Sequence, residues 1–585
     1  MEIGYRIHGK DRMKRTGRML GAGVLAASIA CLAVAEAAST PATISPDEIK
    51  PGMKGYGLSV FKGTKPERFD VEVVDVLKNV FPKMDLILVR CAGQNLEKTK
   101  VIAGMSGSPV YLEGRLAGAI SYGWEFSNEP VAGVTPIGNM LAEAARPLEF
   151  SAAPRAASRE GLRPVSVPLV VSGCPPALFE RLRERFGRRG WTLMQGAGGG
   201  APSLRGEPEP TLEPGAAIGV QLLRGDWDMT AIGTVTWSDG KKVVAFGHPF
   251  LEAGELHAPM TTAFVHGVLS SQATSFKFAS PVKTVGSLVQ DRLACVAGVI
   301  GTSCRMLPLR VRVENVGTGA KKELRLEVIR NEGIVTELVI AALVGSVLSS
   351  EVYTEEMLLT AEYTLRIRLE GKAGLPGETI ERSDRFPGGG APLDFGMVDP
   401  FLELLFNSLG KVSVESMEWD IKVERGAKAA RIERTRFLRR RAAPGERVPL
   451  EVTFRPYRQK PVVRLYDIEI PKDAPGGAFP VRIGSATDIS PDPAPPETTE
   501  DIIRKLKKFH RSTDLAVSWS PVRPGLFFEG RSIKNLPASY LEAFLQGGET
   551  GAMRSSEPEW VRFETPWVIM GGDSASIEVD RRGGQ

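Results

Sequence analysis

Two short stretches carry residue types that can do chemistry. In Gly104-Met105-Ser106-Gly107-Ser108-Pro109 a serine sits between glycines at what reads as a tight turn between strands. Small neighbours let a substrate backbone approach, and they let successive N–H groups converge where an oxyanion can form; a serine nucleophile needs both. Gly-Ser-Gly turns are also ordinary linkers, so the hexapeptide alone leaves that alternative open. The second stretch is Ala245-Phe246-Gly247-His248-Pro249-Phe250. His248 ends an apolar run beside a glycine and a proline, where a strand stops and a side chain can face a cleft. A base for serine must be a neutral imidazole near pH 7. The chain has five histidines, and of the others His257 and His266 are runners-up, while His8 lies in the N-terminal leader and His510 in a polar helix. A purely structural histidine is the alternative for His248.

The elements that must position these residues read as β-structure. Short apolar runs punctuated by Gly and Pro fill 55–136, and the alternation in Phe69-Asp70-Val71-Glu72-Val73 predicts an antiparallel strand. Residues 151–215 read as a connector with one amphipathic helix over Ala177–Phe186, because Leu178, Phe179, Leu182 and Phe186 share a face. Strand signals resume at Ala216, with Ser238-Asp239-Gly240 as a hairpin turn inside GTVTWSDGKKVVAFGHPF. A β-rich accessory region (306–429), a β-sandwich-like domain (430–489) and a C-terminal part (490–585) follow. That last part opens on the linker SPDPAPPETTE and a short helix capped by Thr498 with Asp501. The Arg436–Arg441 run reads as a solvated strand edge, and Ile502, Ile503, Leu506 and Phe509 as a face for core packing.

With these pieces in view, residues 50–141 resemble the catalytic domain of the SpoIVB-type sporulation serine peptidases. The resemblance rests on RFDVEVVDVL, VIAGMSGSPVYLEGRLAGAISYGW and AGVTPIGNML, and GMSGSP with its flanking strands is its specific part. GTVTWSDGKKVVAFGHPF and KTVGSLVQDRLACVAGVIG look like the family's histidine-bearing half. The resemblance implies a mainly β, chymotrypsin-like double β-barrel with Ser106 as nucleophile and His248 as base. It also implies Gly104 and Ser106 N–H groups at the oxyanion. The serine-bearing half (39–150) precedes the histidine-bearing half (216–305), the reverse of the family's order, which reads as a permutation; a triad needs geometry and not chain order. The family's acid lies about fifteen residues before the nucleophile, and here that count reaches Cys91. Asp85 is the expected third member, with Asp70 also near, and a Ser-His dyad or an acid from the other half, Asp239 or Asp291, remains open.

Composition narrows the classes. The 585 residues are 42% hydrophobic and 24% charged, as an ordinary globular chain is, and a net charge of +5 is too mild for a nucleic-acid footprint. A transmembrane transporter, a coiled coil and a collagen-like rod do not fit. Residues 1–38 read as a secretory signal: a basic n-region from Arg6 to Arg18, an apolar stretch from Met19 to Ala35, and Ala35-Glu36-Ala37 as the cleavage pattern. Export to the periplasm, envelope or medium is expected. Of the cysteines past that segment, Cys295 and Cys304 are the most plausible local disulfide, with buried free thiols as the alternative. No metal or other cofactor is expected: the histidines are scattered, and Gly196–Ser203 lacks the spacing of a nucleotide loop. The expected partner is a protein or peptide substrate, including this chain itself. The rival expectation is a non-catalytic envelope protein that keeps peptidase-like barrels for binding, and the Ser106–His248 separation distinguishes the two.

Overall fold

The computed structural model describes residues 42–124, 127–147, 162–188, 191–196, 209–349, 359–371, 377–388, 396–521, 524–546 and 552–580. The secretory signal and most of the Gly196–Ser203 run therefore lie outside the described residues.

Strands β1 (Lys54–Ser59), β2 (Glu67–Phe81), β3 (Met84–Ala92), β4 (Pro109–Leu112), β5 (Arg115–Trp124) and β6 (Val131–Pro136) pair in the order β4-β1-β2-β3-β6-β5. A further β4–β5 pairing closes the sheet, and the result is a six-stranded antiparallel barrel. Strand alternation explains its filling: Phe69, Val71 and Val73 of β2 are buried while Asp70 and Glu72 face solvent. Between β3 and β4 the short helix α1 (Leu96–Thr99) leads into the GMSGSP turn, and α2 (Ile137–Ala144) follows β6.

The chain then forms β7 (Leu162–Pro164), β8 (Leu169–Ser172), α3 (Pro176–Gly187) and β9 (Leu193–Gln195). A second barrel follows from β10 (Ala217–Gly225), β11 (Asp228–Ser238), β12 (Lys242–Ala245), β13 (Gly254–Leu269), β14 (Phe276–Arg292) and β15 (Cys295–Ile300). Its order is β10-β13-β14-β15-β12-β11, closed by β10 on β11. The molecule is thus mainly β, with two barrels side by side. A shared apolar cluster joins them, in which Leu86, Tyr122 and Met140 meet Val244, Ala294 and Cys295.

Beyond the barrels, β16 (Leu307–Asn315) and β17 (Lys321–Val328) extend the second sheet, and α4 (Val335–Leu348) packs on them. The sequence reading has no helix here. VTELVIAALVGSVL is apolar on all sides, so it lacks the 3.6-residue alternation that marks a surface helix, and nearly every side chain is buried. A two-sheet sandwich closes the chain, and it draws strands from both sides of the proline-rich segment 490–500. Ala429–Phe437 and Arg447–Pro456 pack against Gly477–Ser485, Asp514–Trp519 and Asp573–Val579 across one core. The helix Thr499–Lys507 carries the Thr498/Asp501 capping box, with Ile502 and Leu506 buried.

The Cys295–Cys304 disulfide expectation is corrected. Cys91, Cys174, Cys295 and Cys304 are all free thiols. Cys295 opens β15, which runs extended to Ile300, so the strand itself carries the chain away from its start. Among the described residues no helix is long and apolar enough to cross a membrane.

Candidate active site

Ser106 stands on the turn ahead of β4 in the first barrel, and His248 on the turn between β12 and β13 in the second. The two meet: Ser106 Oγ lies 2.5 Å from His248 Nε2 and 2.8 Å from the Phe246 carbonyl. Both residues are buried.

The second barrel grips the serine turn through backbone. The Thr234 N–H donates to the Ser106 carbonyl and the Thr234 hydroxyl to the Gly104 carbonyl, each at 2.8 Å. Thr236 donates its hydroxyl to the Gly107 carbonyl at 2.8 Å. Gly107 has φ 96°, and a Cβ there would fall 1.9 Å from the Thr234 carbonyl oxygen. Only glycine lets the turn approach β11 this closely. On the histidine side Phe246 and Gly247 both take positive φ, 70° and 73°, which for a phenylalanine stores strain at the bend that aims His248.

The imidazole's protonation follows from its partners. Nδ1 lies 2.7 Å from the Pro249 carbonyl, which can only accept, so Nδ1 carries the proton and Nε2 presents its lone pair to the serine, where it competes with the Phe246 carbonyl for the one hydroxyl hydrogen. Burial pushes the His248 pKa down to about 4, against a smaller upward pull from the Pro249 and Val165 carbonyls. The ring is therefore neutral at pH 7, as a general base must be.

No carboxylate bonds this ring among the described residues. The expectation for Asp85 does not fit the geometry. Its carboxylate takes the Asn79 N–H at 2.9 Å and Lys78 Nζ at 2.9 Å, both at the turn end of β2, and these lower its pKa. Asp70 points to solvent from β2, and Asp239 caps its own hairpin by accepting the Lys241 and Lys242 N–H groups. Asp291 comes nearest in effect. Fully buried, it accepts the N–H groups of Phe250 (2.7 Å), Leu251 (2.6 Å) and Ala253 (3.2 Å), the residues that follow His248-Pro249. It holds the histidine's backbone rather than its ring. Its own pKa is raised by burial, the three N–H bonds opposing. His257 pairs with Glu255 and His266 with Ser280, away from the serine.

Of the two expected oxyanion donors, the Ser106 N–H has no acceptor among the described residues, whereas the Gly104 N–H donates to the Ser166 carbonyl at 3.0 Å.

One charged group escaped the sequence reading. Lys277, on β14, is fully buried behind the serine turn, where its Nζ bonds Ser59 Oγ at 2.8 Å and Thr234 Oγ1 at 3.1 Å. Ser59 in turn lies 2.9 Å from Ser108 Oγ. Burial drives the amine down to about 7. In FKFASPVKT the lysine sits between two phenylalanines at an inward position of a strand, and that alternation is the only signal that marks it.

Residues 26–141 match the family SpoIVB peptidase S55, a span that includes the first barrel and Ser106 but not His248. Neither the curated proteins nor the solved structures yield a match.

Proposed function

We propose that this chain is an exported serine endopeptidase of the SpoIVB type, acting on a protein of the cell envelope or on itself. Ser106 attacks the scissile carbonyl, and His248 Nε2 takes the hydroxyl proton and later delivers it to the leaving amine. The Ser106 and Gly104 N–H groups receive the oxyanion. The family match over 26–141 supports a serine peptidase, and the 2.5 Å Ser106–His248 contact carries the assignment of roles. A binding module that had lost catalysis would have no need of that contact or of a strained turn behind it. With a carbonyl in place of the acid at Nδ1, the ring is oriented, but the imidazolium gains no counter-charge. The base is therefore weak, which suits a slow and selective enzyme.

The test is labelling of the mature protein with a fluorophosphonate, read by intact mass. Ser106→Ala should abolish labelling, and His248→Ala should slow it by about 10²-fold or more, the usual contribution of a general base. A Ser106→Ala variant that still labels, or a His248→Ala variant that labels at the wild-type rate, would refute the assignment.

A further inference from the structure

Both reacting side chains are buried, and a backbone segment of the chain itself lies beside them. After the first barrel, β7 adds antiparallel to β5, with Trp124 opposite Leu162, Gly123 opposite Arg163 and Tyr122 opposite Pro164. The next residue continues the ladder, as the Val165 N–H donates to the Ser121 carbonyl at 2.8 Å. Val165 is buried in the first barrel's core cluster, and its carbonyl also faces His248. One residue further, the Ser166 carbonyl accepts the Gly104 N–H, and the Ser166 hydroxyl donates to Thr192 Oγ1 at 3.0 Å. At Pro168 the strand leaves, its carbonyl bonded to the Ile232 N–H of β11. A stretch the sequence reads as connector thus lies as an added strand on the sheet edge beside the serine turn and delivers one carbonyl to an N–H of that turn. Strand addition of this kind is how extended peptides bind sheet edges, with backbone bonds giving affinity and alternate side chains giving selectivity.

We propose that Leu162–Pro168 is an intramolecular occupant of the substrate strand site, which must peel from β5 before another peptide reaches Ser106. The peptide that replaces it is an extended segment with a small side chain on the residue whose carbonyl meets the Gly104 N–H. This rests on the peptidase reading above. The small side chain follows from Ser166, whose hydroxyl already touches Thr192, so a bulkier residue there meets β9's leading edge. An apolar residue belongs one position earlier, where Val165 is buried.

Two variants of the full mature chain test this, each read in two ways. Val165→Gly removes the buried anchor, and Val165→Pro keeps an apolar side chain but deletes the N–H given to Ser121. Amide hydrogen exchange over 104–108 and 119–124 reports the docking without any need for activity, and the fluorophosphonate rate reports access to Ser106. We expect faster exchange in both segments and labelling faster by about tenfold in Val165→Gly, the factor that corresponds to ~1.4 kcal/mol. Unchanged exchange in both variants would overturn the docking. Faster exchange with labelling at the wild-type rate would overturn the block on Ser106. Faster exchange with no labelling in any chain, wild type included, would refute the peptidase reading, and the claim of a substrate site with it.

Discussion

Replacing Lys277 by methionine isolates a buried amine behind the serine turn, and the structure sets the size of the effect. The amine's ordinary value is 10.5, and burial holds it at about 7 in the folded chain. Between those values the unfolded chain binds a proton that the native chain does not, so raising the pH favours the native state. Wild-type stability relative to Lys277→Met should therefore climb with pH across this window and level off above it. From pH 7.5 to 9.5 two units at 1.36 kcal/mol each, trimmed for the native amine's partial protonation at the lower end, come to roughly 2–3 kcal/mol. Urea unfolding of both proteins at a series of pH values measures it, because every other titrating group is common to the pair. Methionine has nearly the same length and no charge, so the side-chain volume against Gly104 is kept. Curves that run parallel from pH 7.5 to 9.5 would refute the reasoning: they would mean that Lys277 stays charged in the fold, with Ser59 and Thr234 repaying its desolvation.

Asp291→Asn leaves one oxygen for three N–H donors and should cost about 2–3 kcal/mol in urea unfolding, the loss of one charge-assisted bond, while slowing Ser106 labelling because the His248 turn loosens. An unchanged midpoint and labelling rate would contradict that role. Gly107→Ala should destabilise by about 3 kcal/mol or more and prevent labelling, since its Cβ would overlap the Thr234 carbonyl oxygen; thermal melting and labelling together check it. Alkylation under denaturing conditions without reductant should add four groups to the mature chain, one for each free thiol, and two additions would restore the disulfide. Asp85→Asn should leave the labelling rate within about twofold, since its carboxylate serves Lys78 and Asn79; a 10²-fold loss would return it to the catalytic group.

What could be read from the sequence was local in cause. The turn GMSGSP marks its serine only together with its flanking strands and the family they resemble, since Gly-Ser-Gly by itself also reads as a linker, and His248 stands out because histidines are rare and it ends a strand. The Thr498 cap, the Ser238–Gly240 hairpin and the α3 face are each written within a few consecutive residues. Helix α4 was hidden by its uniform apolarity, which carries no period. Residue types point to an acid as the third partner of the site, yet the atom on Nδ1 is the carbonyl of the adjacent Pro249, and a backbone atom has no letter of its own in a sequence. Asp291 and Lys277 lie 43 and 29 positions from His248 and reach the site only because barrel closure sets β14 beside the two turns. Residues 162–168 carried the pattern of a connector, and only the open edge of β5 makes them a strand. Residue types thus determined which groups could react. Which of them touch, what holds them and what covers them depended on two sheets closing against each other, because hydrogen bonds and burial act over a few ångströms in space and are indifferent to distance along the chain.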